Sequence, residues 1–112
     1  MRFNTTGVNN IGIGYASLYR NTTGSWNTAL GTNSLSSNTT GQLNTALGRN
    51  SLSTNTTGNY NTVTGSGSLY LNTTGSQNTA FGYGVLPNNT IGINNTGTVS
   101  YTHLTLPTIY SV

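Results

Sequence analysis

The chain of 112 residues has almost no charge, because Asp and Glu are absent and Arg2, Arg20 and Arg49 are its only formally charged side chains. Charged residues make up 3% of the chain, against about 25% in an ordinary soluble domain. Its net charge of +3 therefore comes from three scattered arginines. Phosphate binding requires clustered Lys and Arg, so the sequence predicts no nucleic-acid partner.

Cysteine is also absent, which excludes disulfides and thiolate metal sites. No apolar run approaches the roughly 20 residues of a membrane span, so no membrane insertion is predicted. With no Asp, Glu, Cys or Lys, only His103 could act as a base near neutral pH, and a serine nucleophile would have no partner. We therefore predict no catalytic residue, no metal site and no cofactor. The segment "GIGYAS" (12–17) has two glycines of a dinucleotide-binding loop but lacks the third glycine and the acidic partner, so no nucleotide site is predicted there. It is instead a variant of a tandem repeat.

What the chain does contain is a strict tandem repeat with the consensus N-T-T-G-x-x-N-T-A-L-G-x-x-S-L-x-x. Below, a "place" is a position within this seventeen-residue unit, and the first place is the asparagine that opens it. The repeat begins at Asn4, directly after Met1, Arg2 and Phe3, with no signal peptide before it. We therefore expect a segment of a longer repeat protein, with a genuine short N-terminus as the alternative. The units are residues 4–20, 21–37, 38–54, 55–71, 72–88 and, in part, 89–97.

Apolar residues and glycines hold fixed places, which argues against a disordered linker. Seventeen residues are too few for a helical-hairpin repeat, and Gly, Asn and Thr are poor helix formers. "NTALG" and "NSLSS" instead indicate two short strands, with Gly24 and Gly31 on either side of the first as turn residues able to take positive φ. The sequence therefore predicts an all-β fold, a parallel β-solenoid (β-roll) of five to six coils stacked about 4.8 Å apart.

Stacked coils place like residues over one another. We expect the column Asn27, Asn44, Asn61 and Asn78 to be joined by side-chain hydrogen bonds, whereas a column of like charges would repel itself. The predicted interior is thin: the leucine of the fifteenth place, the apolar residue of the tenth and an alanine. We therefore predict that chains associate along a shared apolar seam. Candidates for that seam, or for a binding face, are the aromatic residues Tyr15, Trp26, Tyr60 and Tyr83.

The units resemble known repeats. "NTALGxxSL" and "NIGIGYAS" resemble the repeats in head domains of trimeric autotransporter adhesins, and the whole unit is similar to arrays in phage tail-fibre and bacterial surface proteins. The resemblance covers residues 4–97. It implies a left-handed, trimeric β-roll that acts as a stalk or head on a cell surface or virion, and a cell-surface glycan or receptor as partner.

From Thr98 the repeat stops. Residues 99–108 resemble one reading frame of the transposase adapter used in sequencing libraries, which implies that residues 98–112 are a non-native tail. A genuine closing strand is the alternative, because Thr, Tyr, Ile and Val suit β structure.

A different function remains open from the sequence: a self-contained module that binds glycans or ice with one flat face. Exposed aromatic rings could stack on sugars. Ice binding would favour Thr-x-Thr within a strand, whereas the repeat has Thr-Thr and Asn-Thr, whose side chains point to opposite faces. Seven N-x-[ST] sequons are predicted to be by-products of the N-T-T turn rather than glycosylation sites; they begin at Asn4, Asn21, Asn38, Asn55, Asn72, Asn88 and Asn94.

Overall fold

The repeat folds as an all-β solenoid in the computed structural model, which describes residues 1–98. Each coil contributes one short strand to a single parallel sheet, and the strands follow one another across the sheet in chain order. The adapter-like segment 99–112 lies outside the described residues. The strands are β1 (Ile11–Ile13), β2 (Thr28–Leu30), β3 (Thr45–Leu47), β4 (Thr62–Thr64), β5 (Thr79–Phe81) and β6 (Thr96–Gly97).

The register between neighbouring coils equals the repeat length at every pair of strands. Thr28 pairs with Thr45, and Ala29 with Ala46, and the same offset relates β1 to β2 and each later pair. Identical places therefore lie over one another, as predicted. Because parallel strands are joined through evenly spaced hydrogen bonds, each coil is held to both of its neighbours by the backbone as well as by its side chains.

The second predicted strand, "NSLSS", does not form in residues 1–98. The leucine of the fifteenth place adopts left-handed backbone geometry in every complete unit, with φ of 49° at Leu35, and Asn33 two residues earlier has φ of 60°. Two left-handed residues so close together cannot belong to an extended strand. The segment nevertheless pairs between coils, since Leu35 N donates to Ser51 O (3.1 Å) and Ser37 N donates to Ser53 O (3.1 Å).

The apolar residue of the tenth place was predicted to lie inside, and the structure places it outside. In β2, Ala29 is fully buried, so the period of two along a strand turns Thr28 and Leu30 to the outer face. Leu30 is 47% exposed and Phe81, at the same place, 62%. The apolar interior thus consists mainly of the ninth and fifteenth places; its largest members are Leu18, Leu35, Leu52, Leu69, Val63 and Val85.

Two columns of buried asparagine lie in the interior, together with the buried serines of the fourteenth place. At the seventh place, Asn44 Nδ2 donates to Asn27 Oδ1 (3.1 Å) and to Gly58 O (2.8 Å), which confirms the predicted ladder. A second ladder runs along the first place, where Asn38 Nδ2 donates to Asn21 Oδ1 (2.8 Å). Because buried amides are tolerated only when they are hydrogen-bonded, these ladders are what allows a polar interior.

The two glycine places serve different purposes. Gly31, at the eleventh place, has φ of +130°, which a side chain would strain. Gly41, at the fourth place, does not have positive φ, although Gly24 and Gly31 were both predicted as positive-φ turn residues. A Cβ on Gly41 would meet Asn38 Oδ1 and would lie 2.5 Å from Gly58 O. Glycine at the fourth place is therefore required by the close approach of neighbouring coils and the asparagine ladder.

Candidate functional site

The four aromatic residues predicted for a seam or binding face separate into two columns. Trp26 and Tyr60 lie at the sixth place, two coils apart, with Leu43 between them, and all three are exposed and have left-handed φ. Tyr15 and Tyr83 lie at the twelfth place, four coils apart, and are 81% and 69% exposed. Four steps of about 4.8 Å separate them by about 19 Å. The structure therefore does not bring the four rings together into one site.

The outer surface of the sheet, formed by the eighth and tenth places and called here the sheet face, is an uncharged strip. Its eighth-place column is mostly threonine: Thr28, Thr45, Thr62, Thr79 and Thr96, with Ile11 in the first coil. Its tenth-place column is mostly apolar, and Ile13, Leu30 and Phe81 are about half exposed. The sixth-place column of Trp26, Leu43 and Tyr60 precedes the strands by two residues. Because the tenth place was predicted to lie inside, the sequence did not predict this apolar strip.

A groove of about 460 Å³ lies elsewhere on the coil, across the first two units. One wall comes from the twelfth and thirteenth places and the other from the sixteenth and seventeenth, whereas the residues between them, Ser34 and Leu35, are buried. The lining residues, called here the first-coil groove, are Tyr15, Ala16, Tyr19, Arg20, Asn33, Ser36 and Ser37.

Backbone hydrogen bonds between the two coils fix both walls of the first-coil groove. On one wall, Asn33 N donates to Tyr15 O (2.8 Å). On the other, Arg20 N donates to Ser36 O (3.0 Å). The residues that carry the groove's polar and aromatic side chains are therefore held by the same ladder that stacks the coils, so the groove is formed without a ligand.

The ring of Tyr19 is held by the residues that precede the first unit. It packs edge-to-face on Phe3, with the ring centroids 5.2 Å apart and the planes at 89°, a favourable geometry for aromatic pairs. Arg2 Nη1 donates to the Tyr19 hydroxyl (3.3 Å), and the Arg2 guanidinium lies 5.7 Å from the centroid of the Phe3 ring. Two guanidinium groups, those of Arg2 and Arg20, thus belong to this end of the solenoid.

Of the groove residues, only Tyr15 was predicted from the sequence as a binding residue; Tyr19 and Arg20 were not. A signal was present, because the first unit is the one complete unit with an aromatic ring at both the twelfth and the sixteenth place. The corresponding pairs in the later units contain a small or non-aromatic residue at one place or both: Thr32 and Ser36, Arg49 and Ser53, Ser66 and Tyr70, Tyr83 and Pro87. Such pairs become visible only once the two places are known to face one groove.

The sequons were predicted to be by-products of the N-T-T turn, and four of their asparagines are buried. Asn21, Asn38, Asn55 and Asn72 have no exposed surface. The Nδ2 atom of Asn38, which would carry a glycan, donates to Asn21 Oδ1 (2.8 Å) and to Gly41 O (3.0 Å). A glycan attached there would require both bonds to break and two coils to separate, so the folded solenoid leaves no space for a glycan at these four positions.

Residues 1–98 hold no group of three or more His, Cys, Asp or Glu side chains that could bind a metal ion. The same part of the chain contains no helix long and apolar enough to cross a membrane. Comparison of the chain with protein-family models, with curated proteins and with solved structures gave no match. The resemblance to adhesin heads and fibre arrays therefore stays a prediction that rests on the repeat motif.

Proposed function

We propose that the chain is a structural and adhesive repeat segment of a bacterial surface adhesin or phage tail fibre, which acts as a stalk or head and has no catalytic activity. The observation that carries this proposal is the constant seventeen-residue register of all six strands. A fold in which every coil makes the same contacts with the next can be lengthened by adding units, without a new core. That property suits an extended element on a cell surface or virion.

Self-association along the sheet face is the second part of the proposal, with a second copy of this chain as the occupant. The sheet face has no charged residue, so covering it desolvates no charge. Its exposed apolar side chains, together with Trp26 and Tyr60 beside it, are what contact with another copy would bury. Because the apolar interior of one chain is thin, apolar surface buried between copies would add to the stability of each chain.

The regular register also favours rotational symmetry about an axis parallel to the solenoid. Copies related by such a rotation would place each coil against the equivalent coil of its neighbour, so all rungs would make the same contact. The resemblance to trimeric adhesin heads makes three copies the expected number. The same resemblance implies a left-handed solenoid, so left-handed coiling is part of this proposal.

Light scattering coupled to size-exclusion chromatography tests this proposal on the full 112-residue chain. We expect three times the mass of one chain. The double variant Leu30→Thr and Leu47→Thr places in β2 and β3 the residue that β4 already has at this place, Thr64, and should reduce the mass to that of a monomer. A matched control, Tyr70→Ser and Leu71→Ser, removes two exposed apolar residues away from the sheet face and should leave the trimer intact. A monomeric parent chain would refute self-association.

The threonine column favours a second candidate function, an ice-binding module. Five threonines stand in register at the eighth place, and in β4 Thr62 and Thr64 share the outer face around the buried Val63. Hydroxyl and methyl groups then repeat at the strand spacing of about 4.8 Å. Thermal hysteresis of a solution of the full chain is the test: a freezing point below the melting point would support ice binding, and no gap at millimolar protein would refute it.

A further inference from the structure

The first-coil groove combines features that are not found together elsewhere along the repeat. It contains two tyrosines, an arginine, an asparagine and two serines in an open groove of about 460 Å³, within the range of about 300–1,000 Å³ typical of small-ligand sites. We propose that this groove binds an anionic sugar, a pyranose ring that carries a carboxylate or a sulfate. The inference deepens the adhesive part of the proposed function by naming a ligand class and a site.

The aromatic residues supply the surface for the ring. Tyr15 is 81% exposed, so its ring can be covered by a ligand. Tyr19 is half-buried and is held in place by Phe3 and by the hydrogen bond from Arg2. A rigid amphipathic ring offers an apolar face for the C–H groups of a sugar and a hydroxyl for its polar edge, with little conformational entropy to lose.

The polar residues match the hydroxyl groups of a sugar. The Asn33 amide can both donate and accept hydrogen bonds, and each serine hydroxyl does the same. Ser36 Oγ donates to Ser53 O (3.2 Å), which leaves its lone pairs able to accept from a ligand. Because both walls are pinned by backbone bonds between coils, binding does not have to order the site first.

Arg20 selects for negative charge. The chain has no Asp or Glu side chain, so the Arg20 guanidinium has no carboxylate side chain of its own chain to pair with. A guanidinium binds carboxylate and sulfate groups through two parallel hydrogen bonds. Arg2 lies one coil beyond, against Tyr19, and adds a second positive charge near the groove with no negative side chain to offset it. A neutral sugar would form no charge-assisted hydrogen bond with these guanidinium groups.

The site and the sheet face lie on different places of the coil, so their tests are independent. The sheet face comprises the eighth and tenth places, whereas the first-coil groove is lined by the twelfth, thirteenth, sixteenth and seventeenth. A monomeric chain that binds an anionic sugar would refute the seam and leave this inference standing. A trimer that binds no anionic sugar would support the seam and refute this inference.

The experiment is a titration of the full chain, followed by NMR or calorimetry, with methyl β-glucuronide and methyl β-glucoside. These probes differ only in a carboxylate in place of a hydroxymethyl group. We expect the glucuronide to bind about tenfold more tightly than the glucoside, since a charge-assisted bidentate pair is stronger than a neutral hydrogen bond. Glucose 6-sulfate in place of the glucuronide shows whether sulfate is accepted, and preferential binding of either anionic probe supports the proposal.

Three variants separate the groove from the general surface, and each introduces a residue that the repeat already uses at that place. Arg20→Ser, as at Ser37, should lower affinity for the glucuronide about tenfold and leave the glucoside unchanged. Tyr15→Thr, as at Thr32, should weaken both sugars. Tyr83→Thr is the matched control, because Tyr83 has the place of Tyr15 four coils away and does not line the groove; it should change neither.

Several results would overturn the inference. These are the absence of saturable binding of both anionic probes at about 50 mM, equal affinity for the anionic and neutral probes, and an Arg20→Ser variant with unchanged glucuronide binding. Equal effects of Tyr15→Thr and Tyr83→Thr would likewise show that binding is not at the groove. All substituted side chains line the groove or are exposed, so the variants should fold, and a circular-dichroism spectrum matching the parent chain verifies this.

Discussion

Asn44 contacts Asn27, its equivalent in the preceding coil, through two hydrogen bonds to the same atom. The backbone N–H of Asn44 donates to Asn27 Oδ1 (3.0 Å), and so does its side-chain Nδ2 (3.1 Å). Asn61 makes the same pair of bonds to Asn44. Asn44 therefore donates both its backbone and its side-chain N–H to the coil before it, and its Oδ1 accepts both equivalent bonds from the coil after it.

Replacing Asn44 by alanine should destabilise the solenoid by about 3–4 kcal/mol. The substitution removes the hydrogen bonds from Asn44 Nδ2 to Asn27 Oδ1 and to Gly58 O, and it deprives the backbone N–H of the fully buried Asn61 of its acceptor. The free energy of unfolding, measured by urea denaturation, checks this value.

Asn50→Ala provides the control for the asparagine prediction. Asn50 is half-buried, with φ of 59°, and Ala16 already occupies the same place with φ of 56°. The control should cost less than about 1 kcal/mol. Equal losses in the two variants would mean that the ladder is not what stabilises the coils.

Gly41→Ala should destabilise the chain more than any exposed substitution, by about 3 kcal/mol or more. Its Cβ would lie 2.5 Å from Gly58 O and closer still to Asn38 Oδ1. Two neighbouring coils would have to move apart to admit a methyl group, because one contact is with backbone. The midpoint of thermal unfolding measures the loss.

A second glycine supplies the matched comparison. Gly67 has φ of +68°, but a Cβ there would meet nothing within 4 Å. Ala16 occupies the equivalent place, so Gly67→Ala should be tolerated at the cost of left-handed geometry alone, about 1–2 kcal/mol. If Gly67→Ala proved the more damaging change, backbone conformation rather than the closeness of the coils would dominate at glycine.

The stacking was predictable from sequence because it depends on repetition. A constant period of seventeen fixes which residues meet, so the parallel register and the seventh-place asparagine ladder followed from the letters alone. The strand content was only half right. Leu35 has φ of 49°, and nothing in a leucine signals left-handed geometry, which costs it energy and is normally left to Gly or Asn. Stacking contacts, which a single unit does not reveal, impose that geometry.

The candidate site was harder to predict for a related reason. Leu30 was assigned to the interior because apolar residues usually lie there, yet the strand period and the burial of Ala29 turn it outward. Tyr19 and Arg20 line the groove with Tyr15 because the segment between the walls curls through left-handed residues. The sequence predicted an extended strand in this segment, and that prediction gave no reason to expect Tyr15, Tyr19 and Arg20 in one groove.

Leu52→Ala should destabilise the solenoid by about 3 kcal/mol, because it leaves a cavity in the leucine column. Leu52 has no exposed surface and belongs to the apolar core with Leu35 and Leu69. Leu71→Ser is the control, since Leu71 is 40% exposed and serine occupies its place in the second unit; it should cost less than about 1 kcal/mol. The free energy of unfolding of both variants is measured by urea denaturation. If Leu52→Ala lost as little stability as the control, the leucine column would not be the core of the solenoid.

Stability should be almost independent of pH on the acidic side of neutrality. Acid denaturation of most proteins removes the stability contributed by carboxylates whose pKa is lowered on folding, and it does so as pH falls through that lowered value. This chain has no Asp or Glu side chain to contribute such a term. Between pH 7 and pH 3 we expect the free energy of unfolding of the parent chain to change by less than about 1 kcal/mol.

The variant Asn44→Asp should reverse the usual sign. Position 44 is fully buried, and its Nδ2 faces two acceptors, Gly58 O and Asn27 Oδ1. A carboxylate there would repel both, so the folded state should raise the pKa of the introduced acid above its unfolded value. A raised pKa means that stability is greatest below the unfolded value and is lost as pH rises through the folded one. Urea titrations at pH 3, 5 and 7 should therefore show the variant gaining stability on acidification while the parent stays level. A variant that weakens as pH falls would contradict this prediction, and it would mean that the two N–H donors of Asn61 stabilise the carboxylate by more than burial and the two acceptors destabilise it.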